Sequence, residues 1–415
     1  MKRICFVLLA GLMILPAWAQ NNSRKEIEAD IELTGGTLSM YPTNQPVPTK
    51  APKGYKPFYI SHVGRHGARY ALGSTIYEDM LKVWNEAASK DLLTEEGKAL
   101  YEAYIGLYPQ LAHREGQLTL KGQEQHRLIA SQMMRNYPEV FKGMTHAEVV
   151  STNVHRSIVS MYSCMQQLEE MDKTFYYNAD YGYPYQAVLL PEFPEFNKEM
   201  RASADKKQKK FRKEVLDADS ILRRWFTDPK QLVESSQSFC RSMHTVLSTL
   251  DNLDVPVPEV LYTMFTPEER YSIWRFNNLR HYTNYGMSPD VNNVRPAAMN
   301  GLMKDIVEKA DEDWANGVQL RLRYAHDTTI MPLLSLLGVN GMDCVIADPY
   351  QVENYWRNYD IPMAANLQFV FFRSKKNPEI LVQVLLNGKE ATLPLEMAAP
   401  GCFYRWEDIK TLAAK

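Results

Sequence analysis

Three times along the chain, a short apolar run of strand length passes through a polar turn into a stretch with helical spacing. The first run is Phe58 to Val63, which enters a glycine-bounded turn at Gly64. The second is Val149-Val150-Ser151-Thr152, followed by a helical face of Ile158, Met161, Tyr162, Met165 and Leu168. In the third, Leu320, Leu322 and Tyr324 alternate with Arg321 and Arg323. A helix with Ile330, Leu333, Leu334 and Leu337 on one face follows, and Gly338 is its natural stop. Further helices are predicted from about Thr75 and from Thr119 to Tyr137. Repeated strand-turn-helix units imply an α/β sheet covered by helices. Near the C-terminus, Leu367 to Phe372 and Ile380 to Leu386 read as strands. The turn dipeptide Asn387-Gly388 and a third short run follow, which predicts an antiparallel edge.

Between these units the pattern changes. Residues from about 175 to 300 read as mainly helical, with Thr266-Pro267-Glu268-Glu269 as a helix start: a capping threonine, proline in the first turn and glutamate three residues after the cap. Arg201, Lys206, Lys207, Lys209, Lys210, Arg212, Lys213, Arg223 and Arg224 make a basic run, read as a solvated helix face. A role in holding a polyanion is the alternative. Residues 20–56 contain Gly35-Gly36 and the prolines 42, 46, 48 and 52, and form a lead-in segment. The expected organisation is an α/β core over 57–175 and 301–415, with a helical insertion at 176–300.

Composition narrows the class. With 45% hydrophobic and 23% charged residues, the 415-residue chain is ordinary for a globular protein. A net charge of -2 leaves no cationic excess for a nucleic-acid backbone. Lys2 and Arg3, an apolar stretch from Ile4 to Pro16 and the small-x-small site Ala17-Trp18-Ala19 fit a secretory leader over 1–19. Export to a periplasm or medium is expected, with a short membrane anchor as the alternative. No later run suits a transmembrane helix, so none is expected in the mature chain. Cys164, Cys240, Cys344 and Cys402 permit disulfides or free buried thiols, and the sequence leaves both open.

The chemistry sits at the ends of the three strands, in the clusters Gly64-Arg65-His66-Gly67-Ala68-Arg69, Ser151-Thr152-Asn153-Val154-His155-Arg156 and Tyr324-Ala325-His326-Asp327-Thr328-Thr329. Ligands of α/β sheets bind beyond the carboxyl ends of strands, near helix N-termini that favour anions. Breaking a phosphate ester without a metal takes an uncharged nucleophile, fixed positive charge for the non-bridging oxygens and a proton for the departing alcohol. His66 can attack, Arg65, Arg69 and Arg156 can grip the oxygens, and Asp327 can donate the proton. The same cations disfavour protonation of His66. Glycines 64 and 67 would let the backbone approach the anion.

These motifs resemble the histidine phosphatase superfamily, in its branch of histidine acid phosphatases and phytases. Arg65-His66-Gly67-Ala68-Arg69 matches the signature Arg-His-Gly-x-Arg, and His326-Asp327 matches the later His-Asp dipeptide. Arg156 matches the additional arginine in a Ser-Thr-x-x-x-Arg context, and Leu118-Thr119 with Gly122 and Gln125 matches a helix start of the family. The resemblance implies a phosphoglycerate mutase-like α/β/α core with a helical insertion. It implies phosphorylation of His66, phosphate binding by Arg65, Arg69, Arg156 and His326, protonation of the leaving oxygen by Asp327, and no metal or cofactor. The implied partner is a small phosphate ester, plausibly an inositol phosphate such as phytate, with sugar phosphates next. Tyr70 stands where acid phosphatases of the branch carry proline, as in inositol-polyphosphate phosphatases. Those usually have His-Ala-Glu at the second motif, where this chain has His326-Asp327. His146-Ala147-Glu148 spells the tripeptide in the wrong place and reads as coincidence. His62 reads as a hydrogen-bonded core histidine and His155 as a positioning or packing residue, while His113, His126, His244 and His281 lack ligand-like neighbours. Two rival functions are a phosphoryl-transferring mutase and a non-catalytic binder of phosphate esters.

Overall fold

The computed structural model describes residues 22–413, so the expected leader lies outside the described residues. Eight strands form a single sheet: β1 Tyr55–Arg65, β2 His146–Ser151, β3 Tyr176–Asp180, β4 Leu320–Ala325, β5 Asn366–Ser374, β6 Leu381–Leu386, β7 Lys389–Glu390 and β8 Phe403–Arg405. Their order is β3-β2-β4-β1-β5-β6-β7, with β8 beside β6. β3, β2, β4 and β1 run parallel, and the pairs from β1·β5 onward are antiparallel. The hairpin from β6 to β7 turns on Asn387 (φ 52°) and Gly388 (φ 75°), two left-handed residues as a tight hairpin requires.

Alternation along the strands sends side chains to two separate cores. Ile60, Val149, Leu320, Leu322 and Val370 pack with the Leu120–Asn136 and His155–Met171 helices. Tyr59, Val63, Ala325, Phe369 and Phe371 pack with Asn300–Ala315, Asp327–Leu337 and Trp406–Ala413. Helices therefore cover both faces of the sheet, the expected α/β/α arrangement. The Asp327–Leu337 helix ends where expected, at a left-handed Gly338 (φ 65°). Arg321 and Arg323 point under a helix and not to solvent. Arg321 pairs with Asp313 and Arg323 with Asp305, both on the Asn300–Ala315 helix, so the polar side of β4 is buried as ion pairs.

A third core is purely helical. It joins Tyr77, Trp84, Leu100 and Leu111, from the Ile76–Ser89 and Glu95–Leu111 helices, to Leu222, Trp225, Phe239, Met243 and Phe265. The helical layer is thus assembled from two stretches of chain, one of which precedes β2. The strand β3, at the start of the stretch expected to be helical, is an edge of the sheet instead; its apolar signal is short, and its five residues are half-buried or exposed. The four cysteines described are free thiols. No helix among the described residues is long and apolar enough to cross a membrane.

Candidate active site

Because β4 lies between β2 and β1, the turns after all three strands are neighbours. Arg65 stands opposite Ala325, and Ser151 opposite Tyr324. Backbone bonds extend the pairing into the turns: His66 N donates to the carbonyl of Ala325 at 3.1 Å, and Thr152 N to that of Tyr324 at 3.0 Å. The Ser157 hydroxyl donates to the Ala325 carbonyl at 3.2 Å. The three clusters singled out in the sequence are therefore brought together at the carboxyl ends of the strands.

The turn from His66 to Arg69 is clamped by the start of the Leu120–Asn136 helix. Thr119 caps that helix, and both its N–H and its hydroxyl donate to the carbonyl of Ala68, at 3.0 and 3.1 Å. Ala68 N donates to the Gln125 side-chain oxygen at 2.8 Å, and Gly67 N to the Ser160 hydroxyl at 3.0 Å. A Cβ on Gly67 would overlap the carbonyl of Gly122, and one on Gly122 would overlap the carbonyl of Ala68. A Cβ on Gly64 would strike the ring of His62. These glycines serve close packing beneath the turn, a role the sequence alone does not assign them.

His66 is buried, and its Nδ1 lies 2.9 Å from the carbonyl oxygen of Gly67. A carbonyl only accepts, so Nδ1 carries the proton and Nε2 keeps its lone pair. Burial, then Arg65, Arg69, Arg156 and His326, hold the ring's pKa well below its ordinary value. The imidazole is neutral and nucleophilic. Around it, the buried Nε of Arg65, Arg69 and Arg156 have no hydrogen-bond partner among the described residues. Buried donors are nearly always paired, so three together in one site mark a place for an anion. Arg65 is fully buried; its Nη1 donates to the carbonyls of Thr37 and Ile361 and its Nη2 to Asp327 Oδ2 at 3.0 Å. Burial and the neighbouring Arg65 lower Arg69 to about 9, which leaves it charged.

His326 Nε2 lies 3.0 Å from the Thr152 hydroxyl, and its ring is 5.6 Å from that of His66. Burial, then Arg156, lowers it to about 4. For Asp327, burial alone would raise the pKa. Arg65, Arg69, His281 and His326 outweigh it and hold the carboxyl below the usual range. Thr328 N donates to its Oδ1 at 2.9 Å. Arg65, Arg69 and Arg156 against Asp327 leave a surplus of two positive charges, matched to a phosphate dianion.

All six residues expected at the site, His66, Asp327, Arg65, Arg69, Arg156 and His326, meet here. His155 is exposed and lines, with Arg156 and the 113–118 loop, a cavity of about 570 Å³ beside the cluster. His62 is wholly buried, and neither ring nitrogen has a hydrogen-bond partner, unlike the bonded core histidine expected. Ser160 and His281 were not foreseen. His281 Nδ1 accepts from the Asn358 side chain at 2.9 Å, and the helix around it offers no motif to flag it.

Comparison with known proteins follows this geometry. The model of the histidine phosphatase superfamily (branch 2) matches residues 165–387, which take in His326-Asp327 but not the first two clusters. No curated protein matches the chain. Among solved structures, the multiple inositol polyphosphate phosphatase of Bifidobacterium longum, in complex with inositol hexasulfate, superposes with a TM-score of 0.75 at 17% identity, over 92% of this chain and 97% of that one. A phytase from D. castellii gives 0.67 at 18% identity, over 92% and 84%. A Hafnia alvei phytase in complex with tartrate gives 0.57 at 12%, over 88% and 98%. These likenesses establish the shared fold, and with the matched family model they make the chain a phosphatase of the histidine phosphatase superfamily, branch 2.

Proposed function

We propose that the chain is an exported phosphomonoesterase that works through a covalent phosphohistidine on His66. The observation that carries this reading is the bond from His66 Nδ1 to the Gly67 carbonyl, which leaves Nε2 unprotonated while the charges of Arg65, Arg69 and Arg156 act on the ring. Arg65, Arg69, Arg156 and His326 would bind the non-bridging oxygens. Nε2 attacks phosphorus, the P–O bond to the alcohol breaks, and the alcohol leaves with a proton from Asp327. Water then attacks the phosphoryl imidazolium, gives a proton back to Asp327, and phosphate departs with His66 restored.

The electrostatics of Asp327 ask where its proton comes from. In the free site the cations keep it ionised. A phosphate monoester has a second pKa of about 6, so at mildly acid pH it arrives carrying one proton. Its charge offsets the arginines, raises the pKa of Asp327 and lets that proton pass to the carboxylate. The reading therefore includes a faster rate at mildly acid pH. Inositol phosphates such as phytate are the substrates we place first, with sugar phosphates next. Support comes from Tyr70 and from structural neighbours named as phytases and inositol polyphosphate phosphatases. Export rests on the leader-like sequence of 1–19.

A phosphate-release panel across inositol, sugar, nucleotide and aryl phosphates, at acid and neutral pH, tests the function. Release should be faster at acid pH and survive dialysis against a chelator. Folded protein that releases phosphate from none of them would exclude the reading.

A further inference from the structure

Arg65 is the most deeply buried cation of the site, and its N–H donors can be accounted for one by one. Both hydrogens of Nη1 go to main-chain carbonyls, one to Thr37 and one to Ile361, and Nη2 gives one to Asp327 Oδ2. What remains is Nε–H and one hydrogen of Nη2, enough for a two-point grip on phosphate oxygens. The two carbonyls therefore decide which edge of the guanidinium is left for a ligand.

One of those carbonyls belongs to the lead-in segment. Thr37 lies in the 3₁₀ helix Ile31–Leu38 and reaches Arg65 through its main chain. Gly36 aims that carbonyl, with a backbone (φ 58°, ψ -122°) that disfavours any residue bearing a side chain. A Cβ at Gly36 would come within 2.7 to 2.9 Å of the Asn358 amide group. The amide is held in place: Oδ1 accepts from Trp274 Nε1 at 2.9 Å, and Nδ2 donates to His281 Nδ1 at 2.9 Å.

The segment is tied down on both sides of Thr37. Glu32 accepts two hydrogen bonds from the buried Arg270 guanidinium, at 3.1 and 2.9 Å, and Arg270 Nε donates to Thr34 Oγ1 at 3.0 Å. After it, Met363 N donates to the Ser39 carbonyl at 2.9 Å, and Ala364 N to the His66 carbonyl at 3.0 Å. Gln125, which accepts from Ala68 N, has its amide nitrogen 3.6 Å from Met40 Sδ. Residues 31–40 are thus bonded to the surroundings of the nucleophile turn and do not merely lead into β1.

We propose that residues 31–40 are a working part of the phosphate site, in which Thr37, through its carbonyl, and Gly36, through its backbone, are positioning residues for the guanidinium of Arg65. This rests on the phosphatase reading above, and it adds a segment that none of the three strand-end clusters contains.

The test is affinity for inorganic phosphate, measured by calorimetry on folded protein. Gly36→Ala should weaken binding about tenfold, the order of one misaligned charge-assisted hydrogen bond. Glu32→Gln, which loosens the tie to Arg270 at a half-exposed carboxylate, should weaken it about threefold. Glu28→Gln, which breaks an exposed pair with Arg24 in the same segment, should leave it within twofold of the parent. A general loss of packing would add to the loss of Arg65, whereas positioning through Arg65 would not. In an Arg65→Gln background, Gly36→Ala should therefore cost less than twofold. Should Gly36→Ala fail to fold, Glu32→Gln takes its place in the cycle. Unchanged affinity in the folded Gly36→Ala and Glu32→Gln variants would overturn the proposal. So would an equal loss in Glu28→Gln, or a full loss that persists without Arg65. A parent that releases phosphate from no ester would instead remove the phosphatase reading, while these binding ratios would still decide the positioning.

Discussion

Two groups of three arginines, one at the strand ends and one in the helical layer, are built in different ways. Arg65, Arg69 and Arg156 belong to turns at the ends of adjacent parallel strands, where register and backbone bonds fix their positions. Arg212, Arg241 and Arg280 belong to three separate helices and meet only because those helices pack on Phe276. The first group surrounds the nucleophile and so should govern every substrate. The second lies outside those turns, on helices, and should leave the attack on phosphorus unaffected. The residues proposed to carry the chemistry are thereby held by the sheet.

After loss of the nucleophile itself, the largest effect is expected at Asp327, which pairs with Arg65 of the first group. Asp327→Asn keeps the shape, and with one acceptor oxygen it keeps one of the two bonds from Arg65 and Thr328, but it has no proton to give. Loss of general acid help should cost about 10²–10⁴-fold on alkyl phosphates, whose alkoxides are strongly basic. Nitrophenyl phosphate should lose far less, because its leaving group departs unaided. Equal losses in kcat on both would show that Asp327 only positions its neighbours. Next in size is Arg69→Gln, which removes one charged donor from the first group. About 10²–10³-fold should be lost, and by the same factor on inositol hexakisphosphate and on glycerol 2-phosphate. A loss confined to the polyphosphate would show that Arg69 serves substrate choice and not the attack on phosphorus.

A smaller effect concerns stability. His62 is buried under the strand ends and His244 in the helical layer, and burial lowers each to about 3 from its ordinary 6.5. The unfolded chain takes up their protons as pH falls below 6.5, while the folded one does not until about pH 3. Stability is therefore retained above pH 6.5 and lost on acidification, by at most about 1.4 kcal/mol per pH unit for each histidine. Melting curves between pH 7 and 4 should show a shallower acid slope in His62→Phe than in the parent. An identical slope would mean that His62 is protonated in the folded protein.

What could be read from the sequence follows the same division. The three strand-end clusters were legible because short contiguous motifs, strand periodicity and one rule about strand ends are enough to bring them together. Thr119 as a cap and Gly338 as a stop were legible for the same local reason. The packing role of Gly67 and Gly122 was not, since it depends on a helix 55 residues away in the chain touching the turn. Neither was the turn of Arg212 out of the exposed basic run, because its direction is set by Phe276 on another helix. The strand β3 escaped notice since five residues with a half-exposed pattern give little period to count. Arg323 read as a polar strand face and became buried only through Asp305, which sequence spacing does not connect to it.

The central claim is a phosphoryl group on Nε2 of His66, and trapping it is the most direct test. The protein is mixed with an ester labelled in its phosphoryl group and quenched within milliseconds in alkali and denaturant. The label is then located by peptide mapping. The parent should carry an acid-labile, base-stable label on the peptide containing His66, formed as fast as turnover demands, and His66→Ala should show neither label nor turnover. Turnover near that of the parent in His66→Ala, or a label on any other residue, would contradict the account.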